Sequence, residues 1–546
     1  MLGFLSNFMV ASWLTFASPV HYPISLAGNF GEPRPNHFHG GIDIRTGMVE
    51  GKPLFAVADG YVSRVTVGLY GFGNALYITH PGGVTSVYCH LKKFTPQVQA
   101  LVRKWQYRHK TCFADMHLRP TDCPVAVGDL VAVSGNTGAS RAPHLHLEFH
   151  DTRTWSMLDP LKYLKTYVTD TTKPIAHSFM AYPKEGKGVF CGSSNKQSYG
   201  FSSLNLTRKF TAWGKVGFGI WANDYMDGSF GILGVRNTKL IVDGRKVFES
   251  DVDSIPEQCN RMVNSWGDYD HYGRTNVWYM KSFVEPGNTI PVLHVDENKG
   301  YVDFNQEREY HIEYIITDVF GNSRSYTFTV EGRRQTIPAT RGRNFLNIFR
   351  YDRFNHFQRP GMSLNVYRGL LPDDVELKPQ VIAKQGALSD TWNFMPKSYP
   401  LFNFGKLSLK LKHPAKHTDK LYIVSHYGVD RYMGGRYNDG WVTAPICELG
   451  ARYEIEYDDT PPVVSGFNAS AKRLSVALYD AKSGLDTFEC YVDGRFVLFE
   501  LVDKSNMYIC DLAETPVKRT GGTHKLVLTA IDKCHNKKIF TTQFKY

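Results

Sequence analysis

Two short motifs about a hundred residues apart carry the side chains most able to do chemistry: His39-Gly40-Gly41-Ile42-Asp43 and His144-Leu145-His146. Together they supply two imidazoles and a carboxylate. Zinc binds His nitrogen and carboxylate oxygen readily, and catalytic zinc sites usually take three protein ligands and leave a fourth position open. The N-terminal part of the chain is therefore a candidate metallohydrolase.

These residues need elements to hold them. Pro143 is followed by His144-Leu145-His146-Leu147-Glu148-Phe149, an apolar/polar alternation that predicts a strand. Side chains alternate along a strand, so His144, His146 and Glu148 share one face and Leu145, Leu147 and Phe149 enter a core. Thr85 to Leu91 is also strand-like; simple alternation puts Tyr88 and His90 on one face and turns Cys89 away into the core. Asn74 to His80 reads as a strand after the turn Gly71-Phe72-Gly73, and Pro81-Gly82-Gly83 makes a hairpin turn. Pro53 to Ala58, Tyr61 to Val67 and Leu130 to Ser134 add further strands. The expectation is a compact antiparallel sheet with little helix.

The segments His39-Gly-Gly-Ile-Asp43, Ala56-Val-Ala-Asp-Gly60, Tyr70-Gly-Phe-Gly-Asn74, Tyr88-Cys-His90-Leu91, Gly135-Asn-Thr-Gly138 and His144-Leu-His146 stand in the order expected of lysostaphin/LytM-type zinc endopeptidases. The chain resembles that family from about Pro23 to Leu164. The resemblance implies one zinc held by His39, Asp43 and His146, with His90 and His144 as catalytic residues flanking the water and the scissile carbonyl. It implies cleavage of peptide bonds in bacterial peptidoglycan. No position of this constellation is replaced, whereas some members of the family have lost ligands and act as activators of other enzymes. One departure is a long stretch between His90 and Gly128. There Val98, Leu101, Val102 and Trp105 give helical spacing, and the insert is read either as a wall of the groove or as a surface excursion.

Half of the chain's 20 histidines fall within the first 150 residues. His37, His80 and His150 match no ligand position and are read as lining or structural. Glu148 is read either as orienting His146 or as a surface carboxylate. The formal net charge of +11 favours polyanions, and without a nucleic-acid module in the sequence this points to anionic wall polymers or the envelope surface. The apolar start, 1–18, resembles a signal peptide without basic residues, and no other stretch is apolar enough to span a bilayer, so export to the periplasm or cell envelope is expected. Nine cysteines leave at least one unpaired; Cys490 with Cys510 and Cys112 with Cys123 are the candidate disulfides.

The peptidase-like domain is placed at 19–166. After Asp170-Thr171-Thr172-Lys173-Pro174 the texture changes to short alternating strands between turns. Asp458-Asp-Thr-Pro-Pro462 marks a similar start, and Asp318-Val-Phe-Gly-Asn322 and Asp532-Lys-Cys-His-Asn536 are similar closing turns, which suggests a loose internal repeat. The expected fold class is all-β dominated, with an antiparallel metallopeptidase domain followed by immunoglobulin-like β-sandwich domains at 170–332 and 458–546 and a β-rich domain at 333–457. Two aromatic runs, Trp266 to Tyr272 and Val277 to Tyr279, are read either as a glycan-stacking face or as core and loop aromatics. The function expected is zinc-dependent cleavage of peptidoglycan stem or cross-link peptides, with the β-domains placing the enzyme on the wall or on an envelope protein partner. The alternative is a non-catalytic envelope protein that uses the peptidase fold as a docking or activator surface.

Overall fold

The computed structural model describes residues 15–340 and 342–546. Strands dominate, and the longest helix is Pro96–His109. The main N-terminal sheet runs Leu26–Gly28, Gly41–Arg45, His144–Asp151, Val84–Cys89, Ala75–Thr79, Gly60–Val67 and Ala114–His117, with antiparallel neighbours throughout. A smaller sheet, Pro53–Phe55, Leu130–Ser134 and Leu91–Phe94, packs with it.

Residues directly opposed in an antiparallel pair face the same side. Leu147 stands opposite Ile42 and Tyr88, and Leu145 opposite Ile44; with Phe149 these fill the main core of the domain. His146 stands opposite Asp43 on one neighbour and Cys89 on the other, so those three share the other face. The alternation read for His144 to Phe149 is thus present. That read for Tyr88 to His90 is not: Tyr88 is in the core and Cys89 is on the histidine face. His90 follows the last strand residue and has φ of 60°. That left-handed turn breaks the alternation and returns its ring to the same side.

The segment between His90 and Gly128 contains the helix Pro96–His109. Thr95 caps it by accepting from the Val98 N–H, Pro96 occupies the first turn, and Lys110 ends it in the left-handed conformation. Val98 and Val102 enter the peptidase core. The opposite side meets the last domain: Tyr107, Cys112 and Phe113 join the core of residues 474–544. Tyr107 packs edge-on against Phe496 at 5.5 Å and donates to the Glu514 carbonyl. Arg103 adds ion pairs to Glu500 and Glu514. The insert is therefore a docking element for another domain, rather than a bare surface excursion.

Beyond residue 170 come three further β-assemblies. The first is one connected sheet built around the long strands Ile175–Phe190 and Asn205–Asn223. The second has two five-stranded sheets sharing the core that includes Trp392, Leu407 and Ile423. The third has two four-stranded sheets around Leu474, Cys490 and Leu528. A joint core brings the first three units together through Phe30, Phe38, Met157, Val263, Trp266 and Phe402. Trp266 is thus buried between domains, and Trp278 stacks on Tyr272, so the first aromatic run does not present a free stacking face at Trp266.

Residues 1–14 of the expected signal segment lie outside the described residues. At its end Phe16 is buried against Phe149 and Tyr163. Among the described residues no helix is long and apolar enough to cross a membrane. All nine cysteines are free, so neither Cys490 and Cys510 nor Cys112 and Cys123 are joined.

Candidate active site

His39, Asp43 and His146 are all buried, and one ligand atom from each lies within 4.8 Å of the others. His39 Nε2 is 3.0 Å from Asp43 Oδ1 and 3.0 Å from His146 Nδ1, and His146 Nδ1 is 2.8 Å from Asp43 Oδ1. Nitrogen and oxygen ligands about 2.0–2.1 Å from a tetrahedral zinc are themselves separated by about 3.3 Å, so the spacing is close to that demand.

The outer side of each ring explains which nitrogen faces inward. His39 Nδ1 donates to the Asn29 carbonyl at 2.6 Å. His146 Nε2 donates to Glu148 Oε1 at 2.9 Å. In neutral rings the single proton is then committed outward, and His39 Nε2 and His146 Nδ1 point bare lone pairs at the Asp43 carboxylate. Three electron-rich atoms facing one another with no proton between them call for a cation, and two imidazoles with one carboxylate suit zinc better than a hard oxygen-seeking metal.

Without a cation, a proton answers the same charge. Burial disfavours the Asp43 charge, but the neighbouring His39, then contacts with His144 and His146, outweigh it and hold the carboxyl well below the usual range. Burial alone would push His146 down; with no cation present, hydrogen bonds to Asp43 and Glu148 outweigh it and raise His146 to about 9, so Nδ1 takes up the proton that a metal would displace. Burial dominates at His39 and lowers it. The pocket stabilises positive charge where the three ligand atoms meet.

Glu148 is buried and spans two histidines, with Oε2 accepting from His150 Nε2 at 2.6 Å. Burial opposes its charge, but His146 and His150 together hold it low. It is therefore a support for His146 and not a surface carboxylate. The glycine pair of the first motif makes room for this. A Cβ on Gly40 would lie 2.5 Å from Glu148 Oε1, and one on Gly41 would lie 2.1 Å from the Leu147 carbonyl oxygen. Outward support fixing a ligand imidazole is a general feature of metal sites.

His90 and His144 sit beside the cluster, their rings 4.9 Å apart. His144 Nδ1 donates to the Ala142 carbonyl at 2.8 Å, and its Nε2 lies 3.3 Å from Asp43 Oδ1. His90 Nδ1 donates to the Thr137 carbonyl at 2.8 Å, which leaves Nε2 free. Burial, then the nearby His146 and His144, push His90 down to about 3. The loop that holds His90 depends on Gly73 and Gly138, which pack backbone to backbone: a Cβ on Gly138 would meet Gly73 N at 2.4 Å.

The other histidines divide. His37 is exposed, with Nδ1 on the Pro35 carbonyl. His80 is buried between the Asp59 carbonyl and Ser86. His150 stacks on Trp155 while holding Glu148. Cys89 shares the face of His146, but burial and then the Glu148 and Asp43 charges raise its thiol far above the ordinary value, which keeps it neutral and disfavours ligation.

Sequence reasoning missed three contributors. Arg34 donates to Asp43 Oδ2 at 3.0 Å, Asn29 orients His39, and Thr137 orients His90. Two of these act through backbone carbonyls, which leave no side-chain signature. Glu32, beside Arg34, is pushed up to about 7 by burial. The second domain also reaches here: Asn29 exchanges two hydrogen bonds with Gly234, each 2.7 Å. From the last domain, Lys504 donates to the Gly138 carbonyl.

Residues 37–107 match the family described as Peptidase family M23, and residues 346–458 match a Zu5-like domain. The chain is 32% identical over 112 residues to an "Uncharacterized metalloprotease" of Haemophilus influenzae, covering 20% of this chain and 18% of that protein. It is 33% identical over 111 residues to the "DD-carboxypeptidase/endopeptidase Mpg" of Neisseria meningitidis, covering 20% and 19%. It is 29% identical over 164 residues to the "Glycyl-glycine endopeptidase ALE-1" of Staphylococcus capitis, covering 29% and 36%. The chain thus spans about a fifth of the length of the first two curated relatives. The N-terminal unit is a peptidase family M23 domain.

Proposed function

We propose that this protein is a zinc-dependent endopeptidase that hydrolyses stem or cross-link peptides of bacterial peptidoglycan and works in the periplasm or cell envelope. The observation that carries this is the convergence of His39 Nε2, His146 Nδ1 and Asp43 Oδ1, with the opposite nitrogen of each ring held outward by Asn29 and Glu148. The names of the relatives from Neisseria and Staphylococcus support the substrate class. The net positive charge suits an anionic polymer.

His39, Asp43 and His146 are the proposed zinc ligands. Zinc held there supplies Lewis acidity, polarising a peptide carbonyl and making water acidic enough to attack near neutral pH. His90 and His144 do the proton work. Each has Nδ1 fixed on a backbone carbonyl, so each offers Nε2 to the cleft. One Nε2 accepts the proton of the attacking water and the pair returns a proton to the leaving amine; the protonated ring also donates to the developing oxyanion. Such general acid–base help contributes roughly 10²–10⁴-fold in rate. Arg34 holds the outer oxygen of Asp43 and keeps Oδ1 turned inward.

The test is release of soluble muropeptides from purified sacculi by the full-length protein, with and without a chelator, beside His146→Ala. Release that requires both metal and His146 is expected. Release that survives the chelator or the substitution would refute the proposal.

A further inference from the structure

Away from the active site, the start, middle and end of the second domain converge on three aspartates. Asp170, Asp224 and Asp318 are 9%, 3% and 4% exposed, and one carboxylate oxygen of each lies within 4.8 Å of the others. Among the described residues no lysine, arginine or histidine is ion-paired with any of the three. Burying carboxylates without a compensating cation is costly.

Two of them are organised by protein donors. Asp318 Oδ1 accepts from the backbone N–H groups of Phe320, Gly321 and Asn322 at 2.7–2.8 Å, and Oδ2 accepts from Asn322 Nδ2 at 2.7 Å. Asn322 Nδ2 also reaches the Asp170 carbonyl at 3.1 Å, and Asp170 Oδ1 accepts from Thr172 N at 3.0 Å and Asp227 N at 3.3 Å. Asp224 is different. Its Oδ1 is buried and has no hydrogen-bond partner. A buried carboxylate that keeps one oxygen without a donor and is grouped with two further carboxylates marks a place for a cation.

The chain contains its own control. The last domain repeats the frame with Asp458, Asp480 and Asp532. Asp532 Oδ1 accepts from Cys534 N and Asn536 N, Oδ2 accepts from Asn536 Nδ2, and Asn536 Nδ2 reaches the Asp458 carbonyl. There, however, Asp480 Oδ1 accepts from Lys482 N at 3.1 Å and Gly484 N at 2.7 Å, and Ser483 Oγ donates to Asp458 Oδ2 at 2.6 Å. Protein donors satisfy the repeat, and only the first copy leaves an oxygen of its middle aspartate, Asp224 Oδ1, without a partner.

We propose that Asp170, Asp224 and Asp318 form a binding site for a hard divalent cation, calcium in class, which locks the second domain onto the peptidase domain. An all-oxygen set of carboxylates, completed by carbonyls or water, suits calcium. The site lies at the root of the connection between the domains. Asp224 exchanges two backbone hydrogen bonds with Leu233, each 2.9 Å, closing the loop between them. Met226 and Leu233 at the two ends of that loop are buried in the peptidase core, and Ser229 Oγ donates to the Leu26 carbonyl. Gly234, next in the chain, holds Asn29, whose carbonyl orients His39. A cation at Asp224 therefore fixes the clamp that steadies a ligand of the active site. In its absence the Asp224 carboxyl, pushed up to about 8 by burial and then by Asp318, holds a proton instead, so cation and proton compete.

The experiment is equilibrium dialysis of the zinc-loaded full-length protein against radioactive calcium chloride at pH 7.5, for wild type, Asp224→Asn, Asp170→Asn and Asp480→Asn, with circular dichroism to confirm folding. Wild type is expected to bind at least one calcium per chain and to melt several degrees higher with calcium. Asp224→Asn and Asp170→Asn should each lose one equivalent and the melting shift, while Asp480→Asn keeps both. No calcium bound by wild type at millimolar concentration, or an unchanged count in folded Asp224→Asn, would overturn the proposal.

Discussion

Glu148 Oε1 accepts from His146 Nε2 at 2.9 Å while His146 Nδ1 faces Asp43 Oδ1 at 2.8 Å, so one buried carboxylate decides which edge of the imidazole is turned to the proposed metal site. Removing its charge while keeping its shape tests that role. Glu148→Gln should fold normally but bind zinc about 10–100-fold more weakly, as loss of a supporting partner does elsewhere. Competition with a chromogenic zinc chelator measures this directly.

The contact between the peptidase and second domains includes a buried ion pair. Arg236 donates to Asp159 at 2.7 Å and to Asp251 at 2.8 Å, and Asp159 is almost fully buried. Burial outweighs Arg236 and pushes the Asp159 carboxyl up to about 6, so the arginine only partly offsets desolvation. Arg236→Ala leaves that carboxyl without its partner, and breaking a buried pair from one side costs about 3–5 kcal/mol. Chemical denaturation should show a loss at the lower end of that range, because the carboxyl can take up a proton.

The docking of the last domain separates apolar from ionic contributions. Arg103 pairs with Glu500 and Glu514, both more than half exposed, and such pairs contribute roughly 0–1 kcal/mol. Tyr107 packs between the helix and Phe496. Tyr107→Ala should therefore loosen the last domain far more than Arg103→Ala. Limited proteolysis near 458–462 will read the difference as faster cleavage of the tyrosine variant alone.

The Asp224 carboxyl also makes stability depend on pH. Its folded pKa of about 8 lies above the ordinary carboxylate value of 3.8. The folded state then holds a proton that the unfolded state has released, so this contribution is full below about pH 4 and is lost as pH rises through 8. In calcium-free buffer the melting temperature should fall across that window more for wild type than for Asp224→Asn. The opposite order, or no difference, would show that Asp224 does not carry a buried proton.

Much of this was legible beforehand, for stated reasons. The alternation from His144 to Phe149 placed His146 correctly because the strand is regular and its apolar half fills the core. The spacing of Val98, Leu101, Val102 and Trp105 located the insert's helix. The same alternation rule failed at Tyr88 and Cys89, because His90 leaves the strand with a positive φ and local pattern carries no sign of it. The domain that the helix docks on was not legible, since a half-buried Tyr107 looks the same in sequence whether it faces solvent or Phe496. The paired starts and closing turns at Asp170, Asp458, Asp318 and Asp532 were visible as a repeat, but that Asp224 Oδ1 lacks a donor while Asp480 Oδ1 has two backbone donors appears only in three dimensions.

The measurement closest to the central claim compares zinc content with turnover in variants of His90 and His144, the two histidines proposed to do proton work without holding the metal. Wild type, His144→Ala and His90→Ala are loaded with zinc, their metal content is determined, and release of peptides from purified sacculi is followed by mass spectrometry. The account predicts one zinc per chain in all three, cleavage by wild type, and rates lower by about 10²–10⁴-fold in the variants. Full cleavage by both variants, or none by zinc-loaded wild type, would contradict it.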